Sequence, residues 1–290
     1  ALCLDVEVKE SFSTANYPLI AAGDAQFSSA GSFSEMIDFA TKNEASFVAL
    51  AVEGKTGIDA LIVKDGQAKE LADLKGTTIG VKGAMTSSVA AMLKQAGLTE
   101  GTDYQTVLLD GFDPKVHIEV PNIVGFPGYK SNEPLQLTAA GIPFTLFDPS
   151  DYDVPGSFGV LYSNQDFVAA HPTAAQDFLR AAMMGLADAV ADPAAAADTA
   201  IGFINANGNA MFLSPEGEAA RWGVESKLVV DTNSNTALGV PEAALLTNEV
   251  TSYATIGLFD GTAPDVTAYL DNSVIEGIYA ADKTVIWPKI

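Results

Sequence analysis

The sequence predicts an α/β fold, and three observations carry that expectation. Short apolar runs of strand length recur along the chain at Phe47–Val52, Thr78–Val81, Thr106–Leu109 and Phe144–Phe147, each near glycine or proline turns. Helical patterns lie among them, the clearest over Thr173–Ala191, where Phe178, Leu179, Ala182, Met183 and Leu186 recur at three- and four-residue spacing. The chain has 290 residues, enough for two domains that each bury a core.

Taken in order, Leu4-Asp5-Val6-Glu7-Val8 alternates as a strand does, and Ala15–Ala22 reads as a short helix. Gln26–Gly31 is a strand ending in small residues. Ser32-Phe33-Ser34-Glu35 has the form of a capping box and opens a helix that runs to about Lys42. Ser29 and Ser32 sit where a cleft floor would let a ligand approach backbone, although ordinary turn chemistry explains them equally well. Ile58–Val63 is the next strand after Lys55-Thr56-Gly57, consistent with a crossing between lobes.

A second unit starts near Leu71. Strand Thr78–Val81 leads through Lys82-Gly83-Ala84-Met85-Thr86-Ser87-Ser88 into a helix over Val89–Ala96. Thr86 and Ser87 offer hydroxyls beside free helix amides, a place for a polar ligand group, while the spacing of a nucleotide-hydrolysing loop is absent. His117, with no second His or Cys nearby, reads as a packed or surface histidine rather than a ligand.

The most informative stretch is Phe126-Pro127-Gly128-Tyr129-Lys130-Ser131-Asn132-Glu133-Pro134. After the apolar Ile123-Val124-Gly125 it reads as a strand end, a turn at Pro127-Gly128 and a helix start capped by Ser131, Asn132 or Glu133. Strand-to-helix turns of this kind bind ligands in open α/β sheets. Tyr129, Asn132 and Glu133 offer a phenol, a carboxamide and a carboxylate, which suits a flat ring whose edge carries N–H donors. A glutamate at a helix start is also favoured by the macrodipole with no ligand at all. Further on, Tyr152 in an Asp- and Pro-rich loop and Phe158 in the strand Gly156–Ser163 are candidate stacking residues, core packing being the competing role for Phe158. Ser214–Ile290 reads as helix and loop without legible chemistry.

Composition narrows the partners. Hydrophobic residues make up 48% and charged residues 18%, as in a globular protein, and the net charge is −22 from 15 basic against 37 acidic residues. Such a surface repels nucleic acid and anionic lipid headgroups. One cysteine and two histidines give no metal-ligand cluster of usual spacing, so neither a metal nor a cofactor is expected. No Ser/His/Asp set or paired carboxylate of a hydrolase is legible. Neither an export signal nor an apolar run of membrane-spanning length is visible.

The wording Phe-Pro-Gly-Tyr-x-x-Asn-Glu-Pro at 126–134 resembles the NMT1/THI5-like family of substrate-binding proteins of ABC importers. Gly23–Phe27 with Ser29-Ala30-Gly31, Leu71–Gly76 with Thr78–Val81, Gly111–Pro114, Asp151–Pro155 and Phe178–Ala181 follow in the family's order. The likeness covers about Leu4 to about residue 205. It implies a two-lobed periplasmic-binding-protein fold of type II kind with the ligand cleft between lobes joined by two crossing strands. Residues 1–64 and 162–290 form lobe 1 and residues 65–161 lobe 2. In the family the strand at Leu4–Val8 is the second one, so this chain is expected to lack the first strand and helix.

The resemblance further implies a monomer outside the cytoplasm that captures a small molecule and delivers it to an ABC permease. Tyr129 and Glu133 are similar to the pair that grips the pyrimidine in thiamine-precursor importers. A riboflavin-binding component is the alternative, and a ligand-sensing domain or a relative of the pyrimidine-synthesis enzyme lies further off, since the enzyme's cysteine-rich motif is missing. With Glu133 accepting ligand N–H bonds, Glu133→Gln is expected to weaken binding about tenfold or more.

Overall fold

The computed structural model describes residues 2, 4–9, 13–111, 113–207 and 215–288. The chain builds two sheets. Helix α1 (Ser13–Ala22), strand β1 (Phe27–Ala30), helix α2 (Phe33–Asn43) and strand β2 (Phe47–Gly54) open the first; strand β3 (Asp59–Lys64) already belongs to the second. That second sheet continues with β4 (Thr78–Val81), helix α3 (Ser87–Gln95), β5 (Gln105–Leu108), helix α4 (Pro114–Glu119), β6 (Gly125–Tyr129), helix α5 (Glu133–Ala139) and β7 (Phe144–Phe147). Strand β8 (Phe158–Asn164) returns to the first sheet. It is followed by α6 (Gln165–Ala170), α7 (Pro172–Ala191), α8 (Pro193–Asn207), α9 (Pro215–Thr232), α10 (Ala243–Ala254) and α11 (Asn272–Glu276).

The first sheet has the order β1-β8-β2, all antiparallel, and the second the order β5-β4-β6-β3-β7. In the second, β4 runs parallel to β5 and β6, while β3 is antiparallel to β6 and β7. The chain therefore passes between sheets at Lys55–Ile58 and at Val154–Ser157. We place the lobe division there, which puts β3 with the second lobe and all of β8 with the first.

The two passages touch through glycines. A Cβ on Gly156 would stand 2.6 Å from the amide nitrogen of Gly57 and 2.7 Å from its Cα. Tyr253 of α10 donates to Pro155 O at 2.8 Å, and the Ser157 hydroxyl accepts the Phe33 N–H at 2.9 Å, so the return passage is strapped to the first lobe. Fully buried apolar side chains fill both lobes, Phe33, Met36, Ile37 and Phe47 in one and Leu61, Ile79 and Met92 in the other.

Several expected elements stand within a residue or two of their sequence limits, including β4 and α7, whose buried face is Ala175, Leu179, Met183 and Leu186. Two expectations are corrected. Residues 4–9 pair with no strand among the described residues, and Leu4, Val6 and Val8 are exposed: alternation supplies a face but not the neighbour that must accept the backbone bonds. Pro127-Gly128 is strand, not turn. Lys130 donates to Ile58 O across β3, whereas Tyr129 turns its N–H away to Glu133. Pro127 shares the parity of Tyr129, so its missing N–H lies on the side away from β3, where β4 pairs with β6 only as far as Gly125. The end expected for the helix beyond Asp192-Pro193, at Gly208, lies outside the described residues, as does Phe112 of the Gly111–Pro114 segment.

Because Gly156 abuts backbone rather than a flexible side chain, Gly156→Ala is expected to destabilise the protein by about 1–3 kcal/mol, measured by urea denaturation.

Candidate functional site

The site is assembled where β6 turns into α5. Gly128 has no side chain, and a Cβ there would come within 2.9 Å of Glu133 Cδ. Into that space Glu133 folds back. One carboxylate oxygen accepts the Tyr129 N–H at 2.8 Å and the other accepts from Lys82 Nζ at 2.7 Å. Glu133 is buried, with its side chain 6% exposed against 27% for Lys82. The spacing Gly-Tyr-x-x-x-Glu is thus a local lock: the helix start returns a carboxylate to the strand end and fixes the direction in which Tyr129 leaves it.

This revises the role expected for Glu133. Both of its oxygens are engaged inside the protein, so it holds Tyr129 and Lys82 in place. Asn132 occupies the N-cap position of α5 without a side-chain cap bond, its Oδ1 instead accepting from Gln136 at 2.9 Å.

Around Tyr129 stand acidic groups from both lobes. Asp59 opens β3 and accepts the Ser88 hydroxyl at 3.1 Å; burial raises its pKa to about 6, with the Ser88 bond opposing and the Glu133 charge adding to the rise. Glu35 lies in the first turn of α2, where a Cβ on Gly31 would meet its Oε2 at 2.6 Å. Its pKa rises to about 7, first through desolvation and then through the charges of Asp59 and Glu249. Glu249 of α10 is buried, accepts the Ser34 N–H at 3.0 Å, and its Oε2 meets no partner among the described residues. Burial raises its pKa too, against the hydrogen bonds of Ser157 and Ser34.

Glu35 and Tyr129 retain solvent-accessible surface. The Tyr129 phenol is pushed well above its ordinary pKa by desolvation, then by Asp59, Glu35 and Glu133, and is drawn back by Arg221. Tyr17 of α1 is pushed the same way by desolvation and by Glu35. Residues of both lobes therefore share one electrostatic neighbourhood: Tyr129, Asp59 and Glu133 from the second, Glu35, Tyr17, Glu249 and Arg221 from the first.

The other expected site residues are dispersed. Ser32 is the N-cap of α2, accepting the Glu35 N–H at 3.2 Å. Ser29 is an exposed position of β1 opposite Leu161. Thr86 occupies the N-cap position of α3, its hydroxyl buried without a partner among the described residues. Ser87 turns into a separate cavity of about 400 Å³ that also involves Glu100, Thr106 and Leu258. Tyr152 is exposed on a short 3-10 turn, where the charge acting on it is that of Asp151 and not of the cluster. Phe158 is buried in the first lobe, seated against Gly54 at a distance no side chain there would permit, so it packs the core. His117 is likewise packed, one ring nitrogen 2.9 Å from Asp110 O.

Sequence patterns did not single out Asp59, Glu35, Lys82, Glu249 or Arg221 as site residues. Glu35 carried a signal, but one that reads as helix capping.

A model of the NMT1/THI5-like family matches residues 3–196. The chain belongs to that family. The riboflavin-binding protein RibY of Chloroflexus aurantiacus is 31% identical over 135 residues, 46% of this chain and 38% of that protein, so the match spans well under half the relative's length. Among solved structures, the periplasmic aliphatic sulphonate binding protein SsuA of Escherichia coli superposes with TM-score 0.55 at 14% identity, over 87% of this chain and 77% of that one. A ligand-binding component of an ABC-type import system from Staphylococcus aureus gives 0.61 at 13% identity, over 91% and 85%. A Candida albicans protein described as having the generic periplasmic binding protein fold gives 0.59 at 14%, over 90% and 83%. The fold of this family member is that of the periplasmic binding proteins. No described helix is long and apolar enough to cross a membrane.

Glu35, Asp59 and Glu53 hold protons to higher pH when folded than their ordinary 4.5, 3.8 and 4.5 allow, about 7, 6 and 7 respectively. The folded state then binds more protons than the unfolded chain between these limits, so stability falls as pH rises from about 4 to 7. Thermal unfolding midpoints are expected to be higher at pH 5.5 than at pH 8, and Glu35→Gln to flatten the difference.

Proposed function

We propose that this chain is the extracytoplasmic solute-binding component of an ABC importer, capturing a small, flat heterocycle with N–H donors between its lobes and delivering it to a membrane permease. The observation that carries this is that Asp59 and Glu35, from opposite lobes, both lie within electrostatic reach of the Tyr129 phenol. A stacking face beside carboxylates takes a ring whose edge donates hydrogen bonds; each charge-assisted bond contributes about 1.5–3 kcal/mol. The same carboxylates repel an alkanesulfonate, whose recognition needs donors in their place.

The aminopyrimidine precursor of thiamine is the favoured ligand, because its amino group supplies the donors and its ring suits one tyrosine face. Riboflavin is the second candidate. The similarity to RibY favours it.

Calorimetric titration with 4-amino-5-hydroxymethyl-2-methylpyrimidine, riboflavin and ethanesulfonate separates these. One of the two heterocycles is expected to bind and the sulfonate not to; a bound flavin would also absorb visible light. Asp59→Asn is expected to weaken the bound heterocycle about tenfold or more, and Tyr129→Ala likewise. Tight ethanesulfonate binding, or heterocycle binding unchanged in both variants, would overturn the proposal.

A further inference from the structure

Helix α9 lies beyond the segment matched by the family model, yet it reaches the Tyr129 turn. One of its faces is anchored in the first lobe. Trp222 donates to Ala189 O of α7 at 3.0 Å, Ser226 and Val229 are buried, and Thr232 Oγ1 accepts the Lys55 N–H at 3.1 Å. Asn233, just past the helix, donates to Glu53 O of β2 at 2.7 Å. Flanking these residues on the same side of the helix, Glu218, Arg221 and Glu225 follow one another at helical spacing.

Glu225 on this flank reaches the other lobe. Ser131, fully buried two residues after Tyr129, donates its hydroxyl to Glu225 Oε1 at 2.7 Å. Arg221 Nε donates to the same oxygen at 3.0 Å, with Glu218 3.8 Å from the guanidinium. The turn receiving this bond is stiff. Asn132 donates its N–H to Tyr129 O at 2.9 Å, Lys130 pairs with Asp148 at 2.8 Å, and the Tyr129 N–H is held by Glu133. A pull on Ser131 is therefore a pull on Tyr129.

We propose that Glu225 is a positioning residue of the ligand site: its bond to Ser131 ties the Tyr129 turn of the second lobe to α9 of the first and so sets how closely the lobes approach across the cleft. The inference takes the lobe junction as the ligand site, as proposed above. Arg221 aims and partly neutralises the Glu225 carboxylate, and its guanidinium lies within electrostatic reach of the Tyr129 phenol. A hydroxyl bonded to a carboxylate is a charge-assisted contact, stronger than a neutral hydrogen bond, and a single bond of this kind can be made and released as two lobes close and open.

The test reads geometry without any ligand. Spin labels at Lys94→Cys on α3 and Lys227→Cys on α9, both exposed positions, in a Cys3→Ser background, report the separation of α9 from the second lobe by pulsed electron resonance. Glu225→Ala and Ser131→Ala are each expected to lengthen and broaden the distance distribution. The double variant is expected to go no further than either single one, because one bond is lost in all three. Glu225→Gln keeps an acceptor oxygen and is expected to restore the parent distribution, which a general loss of packing would not do. An unchanged distribution in Ser131→Ala, or additive effects in the double variant, overturns the proposal. Failure of the heterocycle titrations above would leave these distances untouched, so the two proposals fail separately.

Discussion

The structure turns on one carboxylate folded over a glycine. Glu133 begins a helix, where its charge is already favoured, and returns to the strand it has just left because Gly128 leaves the room. In doing so it satisfies the Tyr129 N–H, which faces away from β3, and pairs with Lys82 at the end of the neighbouring strand β4. Removing the Glu133 carboxylate leaves the Tyr129 N–H without that acceptor, so the direction of Tyr129 depends on it. Everything near the cleft takes its orientation from it: the direction of Tyr129, the position of Lys82 beside Asp59, and the turn that Ser131 presents to α9.

Around that lock the protein gathers like charges. Asp59, Glu35 and Glu249 are brought together by three separate elements, β3, α2 and α10, and protein surrounds them. Burial is the main reason their pKa values are raised, with neighbouring carboxylates adding to the rise at Asp59 and Glu35. Perturbed carboxylates of this kind concentrate at binding sites, where a ligand rather than the protein supplies the missing donors. Here Glu249 Oε2, which meets no partner among the described residues, and the exposed Glu35 leave acceptor capacity unused.

The lobes that bring these groups together are joined by two short passages packed glycine against glycine, Gly57 on Gly156. Close backbone contact there leaves little side-chain bulk to resist rotation of one sheet relative to the other, and hinge motion in this fold is commonly absorbed by a few such residues. The strap from Tyr253 to Pro155 and the Ser157–Phe33 bond fix where the return passage leaves the first lobe.

Much of the fold was legible in the sequence because its signals are local. Strand runs, the Ser32 cap, the stripe of α7 and the helix start at Glu133 depend on neighbours within a few residues. Tyr129 and Glu133 were legible for the same reason: one motif contains both. Assignments that failed needed a partner from elsewhere. Whether Leu4–Val8 pairs depends on a neighbouring strand; whether Pro127 turns or continues depends on where β4 stops; whether Phe158 faces a ligand or the core depends on Gly54. Asp59, Glu35 and Arg221 come from three distant stretches, and no spacing rule connects them. By itself the sequence determined the elements and the lock at the strand end, because both are written in short-range chemistry. Only the tertiary structure decided which carboxylates face Tyr129, because that follows from how two sheets are set against each other.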